Sequence, residues 1–150
     1  MMKKMTIGEV KSSFSFFVPI QVRYSDIDGY LHVNNGIYFN YFEHARAAYL
    51  YKVCDWDIMT LGTVVANVNI DYFTPIHAHD SPVVYIKCTH VGNSSFVLEQ
   101  VVLGQTHDGE EKIFAKASTT MVCIDMKTMK PVPVPKEYAS KMKNSSSVAG

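Results

Sequence analysis

A carboxylate and an imidazole stand close together in the sequence, just before a segment with the pattern of a helix. Asp28 and His32 are four residues apart, and Asn35 and Gly36 follow where the helix is expected to begin. A positioned carboxylate can act as a general base or as a nucleophile. The free N–H groups and the positive dipole end of a helix N-terminus suit an oxygen that gains negative charge. Together these groups could activate water and stabilise an oxyanion without a metal ion.

The same residues also have ordinary structural explanations. An aspartate in a loop with glycine, as Asp28 is beside Gly29, is usually a turn former. Either Asn34 or Asn35 can cap a helix through its side-chain oxygen. A single histidine such as His32 is often structural. The residue types alone therefore leave a catalytic and a structural interpretation open.

The length, composition and charge of the chain limit the classes of protein to which it can belong. The chain has 150 residues, 47% of them hydrophobic, which is enough for one domain with a real core. Fourteen basic residues balance fourteen acidic ones, so no overall field favours nucleic acid or an anionic membrane surface. The sequence contains no signal-peptide pattern and no run of apolar residues long enough to cross a membrane. We therefore expect a soluble, cytoplasmic protein of one domain over residues 1–150, with a core at about 14–138.

Cysteine and histidine spacing gives no sign of a metal or redox site. Cys54, Cys88 and Cys123 are odd in number and widely separated, which indicates buried free thiols. His77 and His79 would point to one face of a strand, and a metal site there would need further ligands. The chain has no nucleotide-binding glycine motif and no serine-hydrolase motif. We expect neither a metal nor a cofactor.

The longest regular segment is helical. Apolar and aromatic residues recur at helical spacing from Ile37 to Lys52, with no proline or glycine before Gly62. This pattern predicts one helix of about four to five turns from near Asn35 to Val53. Phe39 and Leu50 add apolar bulk away from the main stripe, so the helix is expected to lie inside the fold.

The remaining segments have strand patterns. One strand is predicted before the helix, at Phe14–Tyr24, and four after it, at Thr63–Phe73, Pro82–Val91, Ser95–Leu103 and Lys112–Ile124. The turn pairs at 92–93 and 108–109 predict that the last three strands are antiparallel neighbours. A short helix is expected within 126–143 and a frayed end at 145–150. The prediction is an α+β roll: a long central helix wrapped by a curved five-stranded antiparallel sheet.

Three short motifs carry a resemblance to a known family. They are Arg-Tyr-x-Asp-x-Asp at 23–28, His-Val-Asn-Asn-x-x-Tyr at 32–38 and Glu-x-Ala-Arg at 43–46. In this order and spacing they resemble the 4-hydroxybenzoyl-CoA thioesterase-like branch of the hotdog superfamily, which includes bacterial acyl-CoA thioesterases. A weaker resemblance extends over about 15–138. It implies a hotdog fold, subunits joined edge to edge as a homodimer or homotetramer, and active sites at the subunit interface.

The resemblance implies roles for individual residues. Asp28 corresponds to the catalytic aspartate, as nucleophile or general base, and the backbone amides of Asn35 and Gly36 would hold the carbonyl oxygen. His32 would orient the carboxylate or contact the thioester. The sequence also resembles, more distantly, the plant acyl-carrier-protein thioesterases, which have an asparagine where this chain has Tyr30. This difference weakens the transfer of their acid and base assignments. Another hotdog branch uses a helix glutamate in catalysis, but the presence of Asp28 argues against that role for Glu43, which could simply pair with Arg46.

Substrate contacts are less specific in the sequence. Tyr30 and Tyr38 are candidate substrate-binding residues, although Tyr38 also suits a core or a pocket wall. Ser94 and Ser95 could donate to coenzyme A phosphates, or could only form a hairpin turn. Candidate cations for the phosphates are Lys87, Lys112 and Lys116.

The resulting hypothesis is an acyl-CoA thioesterase that hydrolyses the thioester to the free acid and CoA. Its substrate would be an acyl-CoA or an acyl-carrier-protein thioester. A non-catalytic acyl-CoA-binding or sensing module on the same fold is the alternative, because a fold does not fix a function. Hydration of enoyl thioesters also occurs on hotdog folds, but with a different motif.

Overall fold

The structure is a computed structural model and describes residues 5–146, with the side chain of residue 146 left out. Within these residues the fold has three α-helices and five strands. The helices are α1 at Ile7–Ser13, α2 at Ile37–Lys52 and α3 at Lys136–Ser146. The strands are β1 at Phe16–Pro19, β2 at Gly62–Tyr72, β3 at Ser81–Val91, β4 at Ser95–Gln105 and β5 at Glu111–Ile124.

All five strands form one antiparallel sheet in the order β1-β3-β4-β5-β2. The hairpins β3–β4 and β4–β5 confirm the predicted pairing of the last three strands. β2, which follows the long helix, crosses over to pair with β5 and forms one edge of the sheet. The predicted order of one strand, one long helix and four strands is confirmed.

Helix α2 lies against the inner face of this sheet. Tyr38, Phe42 and Ala45 are almost fully buried and pack with residues of β3, β4 and β5, such as Val84 and Phe114. Burying a large apolar side chain contributes about 1.5–3 kcal/mol, so this contact is a main source of stability. The α+β class and the central helix are as predicted.

The first strand is shorter than predicted. It runs only from Phe16 to Pro19 because its single neighbour, β3, begins at Ser81. One further hydrogen bond joins Ile20 N to Pro82 O, and then the chain has no strand to pair with. A 3-10 turn follows at Tyr24–Asp26. The alternating residues 20–24 therefore extend beyond the sheet.

Helix α1 was not predicted from the sequence. Thr6 caps it by accepting a hydrogen bond from Glu9 N over 3.1 Å. Val10 is fully buried and packs with Phe14 against β4 residues such as Leu103. A seven-residue helix with a single buried position gives too short a pattern to recognise.

The chain end is more ordered than expected up to residue 146. The predicted terminal helix is present as α3, and Tyr138 stacks on Trp56 with ring centroids 4.2 Å apart. Ser145, expected to be frayed, has its hydroxyl 2.9 Å from the Tyr49 hydroxyl. Residues 147–150 of the expected frayed end lie outside the described residues.

Two further expectations concern thiols and membrane segments. Cys54, Cys88 and Cys123 are free and buried, as predicted. Within residues 5–146, none of the helices has both the length and the apolar character needed to cross a membrane.

Candidate active site

The loop before α2 forms a tight turn around Asp28. The Asp28 carbonyl accepts a hydrogen bond from Leu31 N over 3.0 Å, and Asp28 Oδ1 accepts one from Tyr30 N over 2.9 Å. Leu31 takes a positive φ of 65° to close the turn. The turn interpretation of Asp28 is therefore correct, yet it uses only one carboxylate oxygen. Oδ2 of the half-buried Asp28 has no hydrogen bond to any part of the described chain.

The start of α2 is held by Asn34. Its side-chain oxygen accepts a hydrogen bond from Gly36 N over 2.8 Å, and its carbonyl accepts one from Ile37 N over 2.9 Å. Asn34, rather than Asn35, thus closes the turn that leads into α2, whose N-cap position, Gly36, has no side-chain cap. The Gly36 amide, one of two predicted oxyanion donors, is already engaged. Among residues 5–146 no acceptor binds the exposed Asn35 N–H, so the second predicted donor is free.

A cavity of about 530 Å³ brings most of the predicted site residues together. Asp28, His32, Asn35, Tyr30 and Tyr38 all line it, whereas Gly36 does not. The other lining residues are Val33, Asn34, Tyr72, Phe73, Thr74 and Pro75. The cavity is therefore lined by one residue with a free carboxylate oxygen and by another with a free backbone donor.

Tyrosines form two sides of this cavity. Tyr38 is 2% exposed, and burial raises its pKa to about 12, so its phenol stays neutral. Tyr72 packs edge-on against it at 5.0 Å and donates a hydrogen bond to Asn35 O over 2.9 Å. Tyr30 is 82% exposed at the rim. The sequence analysis did not identify Tyr72 as a site residue, although Tyr72 lies within the weaker family resemblance at about 15–138.

His32 does not hold the Asp28 carboxylate. In the described part of the chain no hydrogen bond joins the two side chains, and the link is through the backbone, where Asp28 N donates to His32 O over 2.9 Å. The His32 ring instead packs edge-on against His77, with centroids 4.9 Å apart. A second cavity of about 400 Å³, lined by His77, His79 and His107, lies on the other side of the turn and shares Asp28.

Ser94 and Ser95 lie far from Asp28 within one chain. They form the turn between β3 and β4, where Ser95 O accepts from Gly92 N and Ser94 O accepts from Cys123 N. The Asp28 loop is beside the opposite end of β3, because Val33 N donates to Ile76 O just before that strand begins. Eleven residues of strand at about 3.3 Å each separate the two ends.

The three candidate lysines already have partners in the fold. Lys87 Nζ donates to Ser13 O over 3.4 Å and lies over the Phe14 ring. Lys116 pairs with Glu99 at 3.1 Å, and Lys112 lies 3.9 Å from Glu110. The phosphate-binding role suggested for these lysines finds no support within one chain.

Glu43 and Arg46 lie away from the Asp28 cavities, at a third cavity of about 450 Å³ beside β2. Burial lowers the pKa of Arg46 from its usual value, while the nearby Glu43 acts in the opposite direction. Arg46 also donates to Gln100 Oε1 over 3.4 Å.

The family model of the thioesterase-like superfamily matches residues 22–142, which includes the Asp28 turn, α2 and four of the strands. This chain belongs to that superfamily. The long-chain acyl-CoA thioesterase FadM of Escherichia coli is 33% identical over 126 residues, covering 82% of this chain and 93% of FadM.

Solved structures place this thioesterase-like chain among proteins of the hotdog fold. The PA5185 protein of Pseudomonas aeruginosa superposes with a TM-score of 0.81 at 26% identity, covering 92% of this chain and 96% of that one. A Thermus thermophilus thioesterase, solved with coenzyme A and Zn, has a TM-score of 0.76 at 30% identity, covering 89% and 96%. The hotdog prediction is confirmed.

Proposed function

We propose that this protein is an acyl-CoA thioesterase, which hydrolyses the thioester bond of an acyl-CoA to the free acid and CoA. Membership of the thioesterase-like superfamily and the likeness to FadM support this activity. The observation that carries the proposal is the pairing of two free groups in one cavity. Asp28 Oδ2 and the Asn35 N–H are both without partners in residues 5–146, and both residues line the cavity.

The chemistry follows from what each group can do. The Asp28 carboxylate either takes a proton from water, which then attacks the thioester carbon, or attacks that carbon itself. In both routes the carbonyl oxygen gains negative charge and accepts from the Asn35 N–H at the positive end of α2. One such donor is typically worth about 3 kcal/mol in the transition state. The C–S bond then breaks, and CoA leaves as a thiolate that takes up a proton. In the base route this step yields the free acid. In the nucleophilic route it leaves an anhydride between the acyl group and Asp28, which water hydrolyses to the free acid and the Asp28 carboxylate.

Other residues shape the cavity around this centre. His32 is placed to contact the thioester, because it lines the same cavity with its ring held by His77. Tyr38 and Tyr72 form a neutral aromatic wall, and the exposed Tyr30 lies where a substrate would enter. Gly36 N–H joins the oxyanion only after the Asn34 side chain releases it.

A homodimer formed through β2 would complete the site. β2 is an edge strand of eleven residues with Val64 and Val65 each over a third exposed, and such an edge is a template for pairing with another strand. Antiparallel pairing of two β2 strands about a two-fold axis near Asn67 would place Tyr72 of one subunit opposite Gly62 of the partner subunit. The Asp28 cavity, which Tyr72 lines, would then face the other end of the partner's sheet.

This arrangement gives Ser94 and Ser95 a role that they lack within one chain. Ser95 pairs with Val122 of β5, next to the β2 residue Val64. Strands are spaced about 4.8 Å apart, so the partner's Ser94 and Ser95 would lie within about 10–15 Å of the Asp28 cavity. That distance suits contacts to the CoA end of the substrate. Three further expectations stay predictions: assembly to a homotetramer, a carrier-protein substrate and a cytoplasmic location.

Thiol release from a panel of acyl-CoAs tests the proposed activity. The panel includes short, medium, long and aromatic acyl groups, and the long chains come first because FadM is named for them. Turnover of at least one member supports the proposal. Folded protein that binds acyl-CoA by calorimetry but releases no thiol from the whole panel would favour the non-catalytic binding module instead.

A further inference from the structure

Three side chains that could bind a metal ion come together beside the Asp28 turn. They are His77 and Asp80, in the loop between β2 and β3, and His107, in the turn between β4 and β5. One ligand atom from each lies within 4.8 Å of the other two. Sequence spacing does not predict this cluster, because His107 is 27 residues beyond Asp80 and only the fold brings the two loops together.

The distances within the cluster are compatible with a shared ion. His77 Nδ1 lies 3.4 Å from Asp80 Oδ2, and His107 Nδ1 lies 3.3 Å from Asp80 Oδ1. Two ligands bound to zinc at about 2.0–2.2 Å stand roughly 3.3 Å apart at the tetrahedral angle. Each imidazole thus lies at about this separation from one of the two carboxylate oxygens, and the His107 contact is also within hydrogen-bond range.

Asp80 holds both histidines in place through their backbones. His77 N donates to Asp80 Oδ2 over 2.7 Å, and His107 N donates to Asp80 Oδ1 over 2.8 Å. Hydrogen bonds of this kind fix the position of metal ligands before the ion arrives. The rings themselves are half-exposed, with 43% and 59% of the side-chain surface accessible, so small rotations can bring the nitrogens together.

The charge at the cluster also suits a cation. Asp80 is 6% exposed, and no lysine or arginine forms an ion pair with it in residues 5–146. Buried charges in proteins are paired or bind metal ions, so a buried aspartate whose ion-pair partners in the described chain are two histidines is a favourable place for a cation.

We propose that His77, Asp80 and His107 form a binding site for a divalent transition metal ion of the zinc class. Two imidazole nitrogens and one carboxylate are a ligand set that zinc accepts, with a fourth position left for water or a bound anion. The ion would fasten the β2–β3 loop to the β4–β5 turn. Because His77, His107 and Asp28 line one cavity, the ion would form part of the wall behind the proposed catalytic turn.

A zinc titration of tag-free protein, first dialysed against a chelator, tests the site without any thioester. Competition with a chromophoric chelator gives the affinity, and native mass spectrometry gives the stoichiometry. Wild type is expected to bind one Zn²⁺ per chain and to show a Tm that rises and saturates with zinc. His77→Ala and His107→Gln are each expected to weaken binding by about tenfold or more and to abolish the rise in Tm.

His90→Ala is the matched control, because His90 is an exposed histidine at the far end of β3. It should bind zinc as wild type does. Circular dichroism checks that the variants fold, which the half-exposed positions of both rings favour. Equal affinity in wild type and both histidine variants, or no binding by folded wild type, would overturn the proposal. Neither result bears on thioester hydrolysis, since the titration contains no substrate.

Discussion

The side-chain oxygen of Asn34 accepts a hydrogen bond from the backbone N–H of Gly36 over 2.8 Å. This contact holds the turn that leads into α2. The neighbouring Asn35 lines the cavity, and its N–H has no partner among the described residues. The turn that leads into the helix and the proposed oxyanion donor thus lie in one short segment, residues 34–36.

Substitutions at Asn34 should separate its effect on stability from its effect on catalysis. Asn34→Ala removes this hydrogen bond and should lower the free energy of unfolding by about 1 kcal/mol, with kcat reduced less than tenfold. Asn34→Asp keeps an acceptor and should keep stability, but its charge beside the oxyanion should lower kcat by about tenfold or more. Urea unfolding and thiol release measure the two effects. Full activity in Asn34→Asp would argue against an oxyanion at this helix end.

Tyr72, on β2, contacts the same segment of residues 34–36. Its hydroxyl donates to Asn35 O, so Tyr72→Phe should loosen the peptide that carries the Asn35 donor. We expect a loss of about 1 kcal/mol in stability and a lower kcat with little change in KM. Tyr51→Phe is the control, because Tyr51 is 70% exposed and lines the cavity of Glu43 and Arg46, away from Asp28. An unchanged kcat in Tyr72→Phe would show that this hydrogen bond does not position the donor.

The β2 edge should control both assembly and activity. Val64→Lys with Val65→Lys places positive charges on an edge strand, which disfavours strand pairing. Analytical ultracentrifugation should show a monomer, and kcat/KM should fall by at least about tenfold because the partner's contacts are lost. Phe17→Lys, on the exposed surface of the opposite edge strand β1, should leave both unchanged. An active monomer would contradict the shared site.

The three cysteines of the folded protein should react slowly in a thiol assay. Burial raises the pKa of Cys54 to about 12 and of Cys123 to about 11, and it also raises that of Cys88. Since the thiolate is the reactive form, Ellman's reagent at pH 8 should react slowly with folded protein. Guanidinium should expose all three thiols per chain. Rapid reaction of the folded protein would show that these side chains are accessible.

The regular elements could be predicted because their patterns are local. Apolar spacing identified α2, and alternation with turn pairs identified β2 to β5. The end of the first strand could not be predicted, since it depends on where β3 begins at Ser81. The meeting of Asp80 with His107 depends on the whole sheet, and sequence spacing carries no trace of it.

The placement of the candidate site residues could be predicted better than the hydrogen bonds between them. The motifs predicted that Asp28, His32 and Asn35 lie together, and in the structure all three line one cavity. They did not indicate that Gly36 N–H is bound by Asn34, because either asparagine can cap a helix. The role of Ser94 and Ser95 depends on a second subunit and stays a prediction.

The most direct test compares wild type with Asp28→Asn in thiol release and in acyl-CoA binding. The substitution keeps the size and an acceptor for Tyr30 N, so the turn should persist and the affinity should stay within about threefold. Loss of the carboxylate should lower kcat by about 100-fold or more. That result would support Asp28 as the base or nucleophile, whereas turnover close to wild type would contradict the proposed mechanism.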